Sequence, residues 1–267
     1  MLLLAIYLFI LGVCLGSFVN ALTWRLEKGK DWVRGRSQCP HCGHQLAARD
    51  LVPLFSWLIL RGRCRYCKQS ISVQYPLVEL AGGAVFCLSY IFWPANLDQA
   101  GNLILFITWL VASVGLLALA LYDLKYMLLP SKILYPIFFI AAAGQLIYLI
   151  GFAPAKATYA LGWLISVLIA TGIFWLIFMV SKGRWIGYGD VRLGLVTGTL
   201  LHRPALAVLM IFLASLAGSV IAVPMLAIGK KTLSARIPYG PYLIAATFIC
   251  LLFGPRLVDL YKQLLLP

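Results

Sequence analysis

The stretch NLILFITWLVASVGLLALALYD, residues 102–123, runs for 21 residues without a charge and then stops on an aspartate. A helix needs about 20 largely apolar residues to cross the hydrocarbon core of a bilayer, so this run suffices on its own. Comparable runs occupy 2–23, 76–94, 132–151, 158–180, 205–228 and 240–257, and a shorter one, 190–201, reads as a short eighth span. Solid apolar runs of this length are not the alternating short strands of a membrane β-barrel. The expected fold is therefore an all-α polytopic membrane protein with about eight transmembrane helices. Composition agrees: 63% of residues are hydrophobic, 11% are charged and mean hydropathy is +0.95, where soluble chains carry roughly a quarter charged residues.

The first run has no lysine or arginine before Arg25. It lacks the basic start of a cleavable signal peptide and is read as a retained helix. The net charge of +14 raises the question of nucleic acid, but its distribution answers otherwise. The loop 24–75 carries ten of the 22 basic residues: Arg25, Lys28, Lys30, Arg34, Arg36, Arg49, Arg61, Arg63, Arg65 and Lys68. With that loop in the cytoplasm and eight crossings, Lys125, Lys132, Lys182, Arg184, Arg192, Lys230, Lys231 and Arg236 also fall inside. Only Lys156, Arg203, Arg256 and Lys262 fall outside. Eighteen against four is a positive-inside pattern with both termini outside. The charge thus reports topology, and no nucleic-acid partner is expected.

The loop 24–75 holds CPHC (Cys39, Cys42) and CRYC (Cys64, Cys67), two Cys-x2-Cys pairs separated by 21 residues. That spacing matches a four-cysteine zinc site, and four thiolates make a closed structural site with no open position for catalytic water. Disulfides are the alternative, and the cytoplasm disfavours them. His41 and His44 are secondary candidates as ligands, made unnecessary by two complete pairs. The loop is poor in aliphatic residues, so metal binding would supply folding free energy. Cys14, Cys87 and Cys250 lie in apolar runs and are read as packing residues.

Only eight acids are present. Glu27, Asp31, Asp50, Asp98 and Asp259 read as solvated positions, which leaves Glu79, Asp123 and Asp190. In the topology above, Asp123 ends one helix and Asp190 begins another, both at cytoplasmic ends, with two full crossings in the 66 residues between. Acids at membrane depth are costly and face a cavity, a partner or a reaction. Two carboxylates meeting at one depth share a proton and suit aspartic-protease chemistry. Gly187 and Gly189, in GYGD, would let an extended substrate approach closely. The bland alternatives are that Asp190 only caps a helix and that Asp123 only pairs with Lys125. Glu79, after Pro76, is open to two readings: contact with a cationic substrate group, or pairing with a basic residue of the loop, which ranks higher.

These residues resemble the bacterial prepilin peptidases (type IV leader peptidases), membrane aspartic proteases of the GxGD type. LGVCLGSFVNALTWRL at 11–26 is similar to the family's N-terminal GSF-N-R signature through Gly16, Ser17, Phe18, Asn20 and Arg25. The segment CPHCGHQLAARDLVPLFSWLILRGRCRYC resembles its tetracysteine loop, and ISVQYPLVEL follows similarly. YDLKYMLLPSK carries Asp123, GYGDVRLG carries Asp190, and IPYGPYL at 237–243 is similar to the C-terminal signature. Two positions depart from the pattern: Arg192 stands where lysine is common, and Ser131 where aspartate is frequent.

The resemblance implies three regions: a first transmembrane helix, 1–23; a cytoplasmic tetracysteine zinc-binding loop, 24–75; and a transmembrane aspartic peptidase core, 76–267. It implies cleavage, on the cytoplasmic face of the inner membrane, of the basic leader of type IV prepilins or type II secretion pseudopilins after a glycine. It also implies methylation of the new N-terminus with S-adenosylmethionine. Asp123 and Asp190 would be catalytic, Cys39, Cys42, Cys64 and Cys67 would hold structural zinc, and Gly187, Gly189 and Glu79 would help position substrate. No Gly-rich methyltransferase fingerprint locates the methyl donor. Two rival readings remain open: a presenilin-like protease, which shares Tyr122-Asp123 and GxGD, and a transporter with a proton relay, which predicts mid-membrane acids and repeated halves.

Overall fold

The computed structural model describes residues 1–31, 35–227 and 238–265. Arg34, Lys230, Lys231 and Arg236, counted above in the charge pattern, and Ile237 of the C-terminal signature lie outside the described residues. Among the described residues the chain is helical, with two isolated β-bridges and no strand. It divides into two compact units, Met1–Ile91 and Phe92–Pro267.

The first unit contains α1 (Leu2–Glu27), a 3-10 turn at Ala48–Asp50, the short α2 (Phe55–Ile59) and α3 (Gln74–Phe92), whose last residue belongs to the second unit. Helices α1 and α3 meet backbone to backbone. A Cβ on Gly12 would lie 2.4 Å from the Gly82 carbonyl oxygen, and one on Gly16 would lie 2.6 Å from that of Val78. Small residues four apart allow this approach, which in lipid replaces the hydrophobic drive with dispersion contacts. Asn20 completes the join: its amide donates to Tyr75 O at 3.1 Å and its oxygen accepts from Gln74 Nε2 at 3.1 Å. The Gly and Asn of the GSF-N element therefore brace α1 against the start of α3. Of the three cysteines read as packing residues, Cys250 is buried and Cys87 half-buried, but Cys14 is exposed. It lies off the glycine face of α1 that meets α3.

The second unit contains α4 (Ala100–Tyr126), α5 (Ser131–Gly151), α6 (Lys156–Ser181), α7 (Tyr188–Leu201), α8 (Pro204–Ala227) and α9 (Gly240–Leu265). Among the described residues seven helices, α1, α3, α4, α5, α6, α8 and α9, are long and apolar enough to cross a membrane. The expected eighth span is α7, of 14 residues, about 21 Å long against a hydrocarbon core of about 30 Å. It survives at this length because protein surrounds it. Val191, Leu193, Gly194 and every residue from Val196 to Leu201 are buried, with α5, α6, α8 and α9 as neighbours. A Cβ on Gly194 would meet the Ala170 carbonyl oxygen at 2.5 Å, and one on Gly198 would meet Val167 Cα at 2.9 Å. Ser166 Oγ adds a hydrogen bond to Gly198 O at 3.0 Å.

Replacing Gly12 by leucine forces α1 and α3 apart. We expect a loss of about 1–3 kcal/mol, as for other overpacked sites, seen as a lower Tm in detergent. Gly172, whose Cβ direction is open, takes alanine with no loss.

Candidate active site and metal centre

The two cysteine pairs form matching knuckles. Cys39 N–H donates to His44 O and Gly43 N–H to Cys39 O, both at 2.9 Å; Cys64 N–H donates to Gln69 O at 2.8 Å and Lys68 N–H to Cys64 O at 3.0 Å. Each turn closes through a left-handed residue, Gly43 at φ +70° and Lys68 at φ +62°. The four sulfur atoms lie within 4.8 Å of one another, and Cys39 and Cys67 Sγ are 3.9 Å apart. Four thiolates bound at about 2.3 Å in a tetrahedron stand about 3.8 Å apart, so the cluster can hold one metal ion. All four are thiols rather than disulfides. Burial pushes the Cys64 thiol up, but N–H groups of Cys67 and Tyr66 and the neighbouring sulfurs outweigh it and bring it down to about 7. His44 stacks on Tyr66, with ring centroids 3.7 Å apart.

Asp50 is not the solvated acid its loop setting suggests. Its side chain is 3% exposed, accepts from Arg65 Nε at 2.7 Å and takes the Tyr66 hydroxyl at 3.0 Å. The Arg65 hydrogen bond leads the effects that hold its carboxyl below the ordinary value. It thereby ties the 3-10 turn to the second knuckle. Glu79 is buried, and its partners are the Leu54 N–H at 2.8 Å and the Ser17 hydroxyl rather than a lysine or arginine. A cavity in this unit is lined by Trp24, Trp57, Tyr75, Asp50 and Glu79, among others.

In the second unit Asp123 sits in the last turn of α4 and is 5% exposed. Gly240 N–H, at the start of α9, donates to its Oδ2 at 3.1 Å. Lys125 instead lies over the Tyr126 ring, which removes the helix-end pairing as an account of Asp123. Asp190 is the third residue of α7, whose N-cap is Gly187. Its Oδ2 accepts the Gly187 N–H at 3.3 Å, so it does cap the helix, from inside rather than as the N-cap. The two carboxylates converge on one part of the unit, around Leu129. Leu129 links the surrounding glycines, since a Cβ on Gly189 would lie 3.2 Å from Leu129 Cδ1 and one on Gly240 3.5 Å from Leu129 Cδ2.

Three features of this site escaped the sequence reading. Gly240 and Tyr239 belong to the C-terminal signature, which had no assigned role; Gly240 binds Asp123, and Tyr239 feels the Asp190 charge while its hydroxyl meets Ser215 Oγ at 3.3 Å. The signature's position in the chain carried no hint of contact with an aspartate 117 residues away. Arg192 donates to Ser131 Oγ and, at 3.4 Å, to Leu129 O. The two departures from the resembled pattern thus meet each other, and together they join α7 to the start of α5.

The sequence matches two family descriptions, "Bacterial Peptidase A24 N-terminal domain" over residues 10–93 and "Type IV leader peptidase family" over residues 110–223. This chain belongs to the type IV leader peptidase family. A relative named prepilin leader peptidase/N-methyltransferase from Stutzerimonas stutzeri is 32% identical, covering 95% of this chain and 92% of its own. Proteins of the same name from Pseudomonas aeruginosa (31%, covering 95% and 92%) and Myxococcus xanthus (38%, covering 84% and 64%) are also similar. No solved structure matches. Membership of a peptidase family disposes of the transporter reading, and these matches favour the leader peptidases over the presenilin-like group.

Two outcomes are expected. The purified chain carries about one metal atom per molecule by inductively coupled plasma mass spectrometry, and Cys64→Ser or Cys39→Ser removes it. Gly240→Ala, whose Cβ would lie 2.7 Å from Asp123 Oδ2, displaces that carboxylate and lowers peptidase activity about tenfold or more while the metal stays bound.

Proposed function

We propose that this protein cleaves the basic leader of type IV prepilins or type II secretion pseudopilins and methylates the new N-terminus. Support for the peptidase comes from one observation above all: two acids with 66 residues between them in the chain converge in the second unit, each held by a glycine N–H rather than by a fixed positive charge. Such a pair is free to share and move one proton. The ionised carboxylate takes a proton from water as its oxygen attacks the scissile carbonyl. The protonated one donates to the carbonyl oxygen. Collapse of the tetrahedral intermediate breaks the C–N bond as the amine leaves protonated.

Gly187 leaves its side of the approach to Asp190 free of side chains, so an extended strand of substrate can lie close, while Gly189 makes room for Leu129. A glycine before the cut eases local unwinding of the pilin helix, since glycine is a poor helix former. The charge pattern supports placing the cysteine loop and the Asp123–Asp190 site on the cytoplasmic side of the inner membrane, where the leader of the substrate remains.

Zinc is the metal that best suits four thiolates at this spacing, in a structural role at Cys39, Cys42, Cys64 and Cys67. For the methyl donor, S-adenosylmethionine, the cavity of the first unit has aromatic faces at Trp24, Trp57 and Tyr75 for a purine and the Glu79 carboxylate for a sulfonium cation, with Arg25, Arg36 and Arg65 also in its lining and Asp50 already held by Arg65. Bound there, it would supply the methyl group. This reading gives Glu79 a part in binding a cation, in company with its Leu54 hydrogen bond.

The test is incubation of the purified enzyme with a prepilin and S-adenosylmethionine, with products identified by mass spectrometry. We expect a cut after the leader glycine and a mass gain of one methyl on the mature N-terminus. Asp123→Asn and Asp190→Asn should each reduce cleavage at least about 100-fold, the lower range for loss of a general acid or base. An intact prepilin with metal-loaded wild-type enzyme sinks the assignment. Trp57→Ala should weaken S-adenosylmethionine binding in equilibrium dialysis, a readout independent of turnover.

A further inference from the structure

The second unit holds a cavity that the peptidase chemistry does not use. It has a volume of about 480 Å³ and lies where α7 ends, walled in part by Trp93, Gln145, Tyr148, Tyr159, His202 and Arg203. Asp190 and His202 are 12 residues apart, so it lies about 18 Å along α7 from the aspartates. A single buried water needs only roughly 10–15 Å³ on the same measure, so the space suits a larger occupant.

Its polar groups are left waiting. Trp93 Nε1 and His202 Nδ1 are buried with no hydrogen-bond partner, and leaving such a group unpaired is destabilising. An indole N–H can only donate, so Trp93 asks for an acceptor. His202 lies in the α7–α8 connection, where burial first and the Arg203 charge second push it down to about 4; it is neutral. With the proton on Nε2, the unpartnered Nδ1 is a lone pair that asks for a donor. The nearby polar groups are already paired with each other: Tyr159 OH donates to Gln145 Oε1, and Gln145 Nε2 to Leu200 O at 3.4 Å.

Charge narrows the choice. Among the described residues lining the cavity, Arg203 is the one formal charge and none is acidic. The first turn of α6, through Ala155, Thr158 and Tyr159, also lines it, and Ala155 offers no side-chain cap. The free N–H groups and the positive end of that helix dipole therefore face the space. The remaining wall is apolar, with Leu105, Leu206 and Leu251. Aromatic rings at helix ends mark the headgroup level of a bilayer.

We infer that this cavity binds one glycerophospholipid whose headgroup combines an anionic phosphodiester with a free hydroxyl. The phosphate oxygens accept from Trp93 and face Arg203 and the start of α6. The hydroxyl donates to His202 Nδ1, and the acyl chains leave along the leucine wall. An ammonium in place of the hydroxyl would meet the Arg203 charge, so a glycerol headgroup fits better than an ethanolamine one.

The experiment is native mass spectrometry of the full chain, purified in detergent, stripped of lipid and titrated with dioleoyl phosphatidylglycerol, dioleoyl phosphatidylcholine or soluble glycerol 3-phosphate. We expect one phosphatidylglycerol to be retained, with phosphatidylcholine and glycerol phosphate at least tenfold weaker. Trp93→Phe, which keeps an aromatic ring edge-on to Phe106, and His202→Phe should each weaken that binding at least tenfold while metal content and prepilin cleavage in detergent confirm the fold. Equal retention of phosphatidylcholine, tight binding of glycerol phosphate alone, or unchanged phosphatidylglycerol binding in both folded variants overturns the inference.

Discussion

The second unit depends on one constraint: α7 has almost no room for side chains on the face it turns to α6. Gly194 and Gly198 bring backbone against Ala170, Val167 and Ser166, and any larger residue there would separate the helices. Because α7 is enclosed by α5, α6, α8 and α9, it can stay short. A short helix packed on four others fixes where its N-terminal turn, with the half-buried Asp190, lies. The carboxylate position thus follows from two glycines that lie four and eight residues further along the same helix.

The three acids nearest the membrane are stabilised in one way. Asp123, Asp190 and Glu79 accept N–H groups of Gly240, Gly187 and Leu54, and among the described residues none is in a salt bridge with lysine or arginine. A backbone dipole lowers the cost of burying a carboxylate without fixing its charge, whereas a permanent cation would hold it ionised. For a pair proposed to pass a proton back and forth, the weaker partner is the useful one. Glycine serves at two of these three positions because it lets the N–H come close. At Gly240 the added Cβ would strike the very oxygen that the N–H holds.

The cysteine loop follows a different logic, in which a small module lacks an apolar core and is held by repeated local turns and one ion pair. Both knuckles use the same two backbone hydrogen bonds, so four sulfur atoms converge from two sequence-local motifs. Asp50 then locks the 3-10 turn to the second knuckle through Arg65 and Tyr66. A metal ion held at the centre would add the folding free energy that apolar burial does not provide there.

What the sequence by itself determined is what is written in neighbouring residues. The helical class followed from uninterrupted apolar runs, the metal-capable cluster from two Cys-x2-Cys turns, and the importance of Asp123 and Asp190 from the scarcity of acids and the GYGD setting. Those signals survive because each depends on local spacing or on composition. Tertiary structure decided the partners: Gly240 for Asp123, Ser131 for Arg192, Leu54 for Glu79 and Arg65 for Asp50. It also decided that the expected eighth span is a short buried helix. Such contacts join residues tens to more than a hundred positions apart, and no periodicity in a single chain encodes them. A solvated-looking acid such as Asp50 becomes a buried brace only once folding brings an arginine and a tyrosine to it.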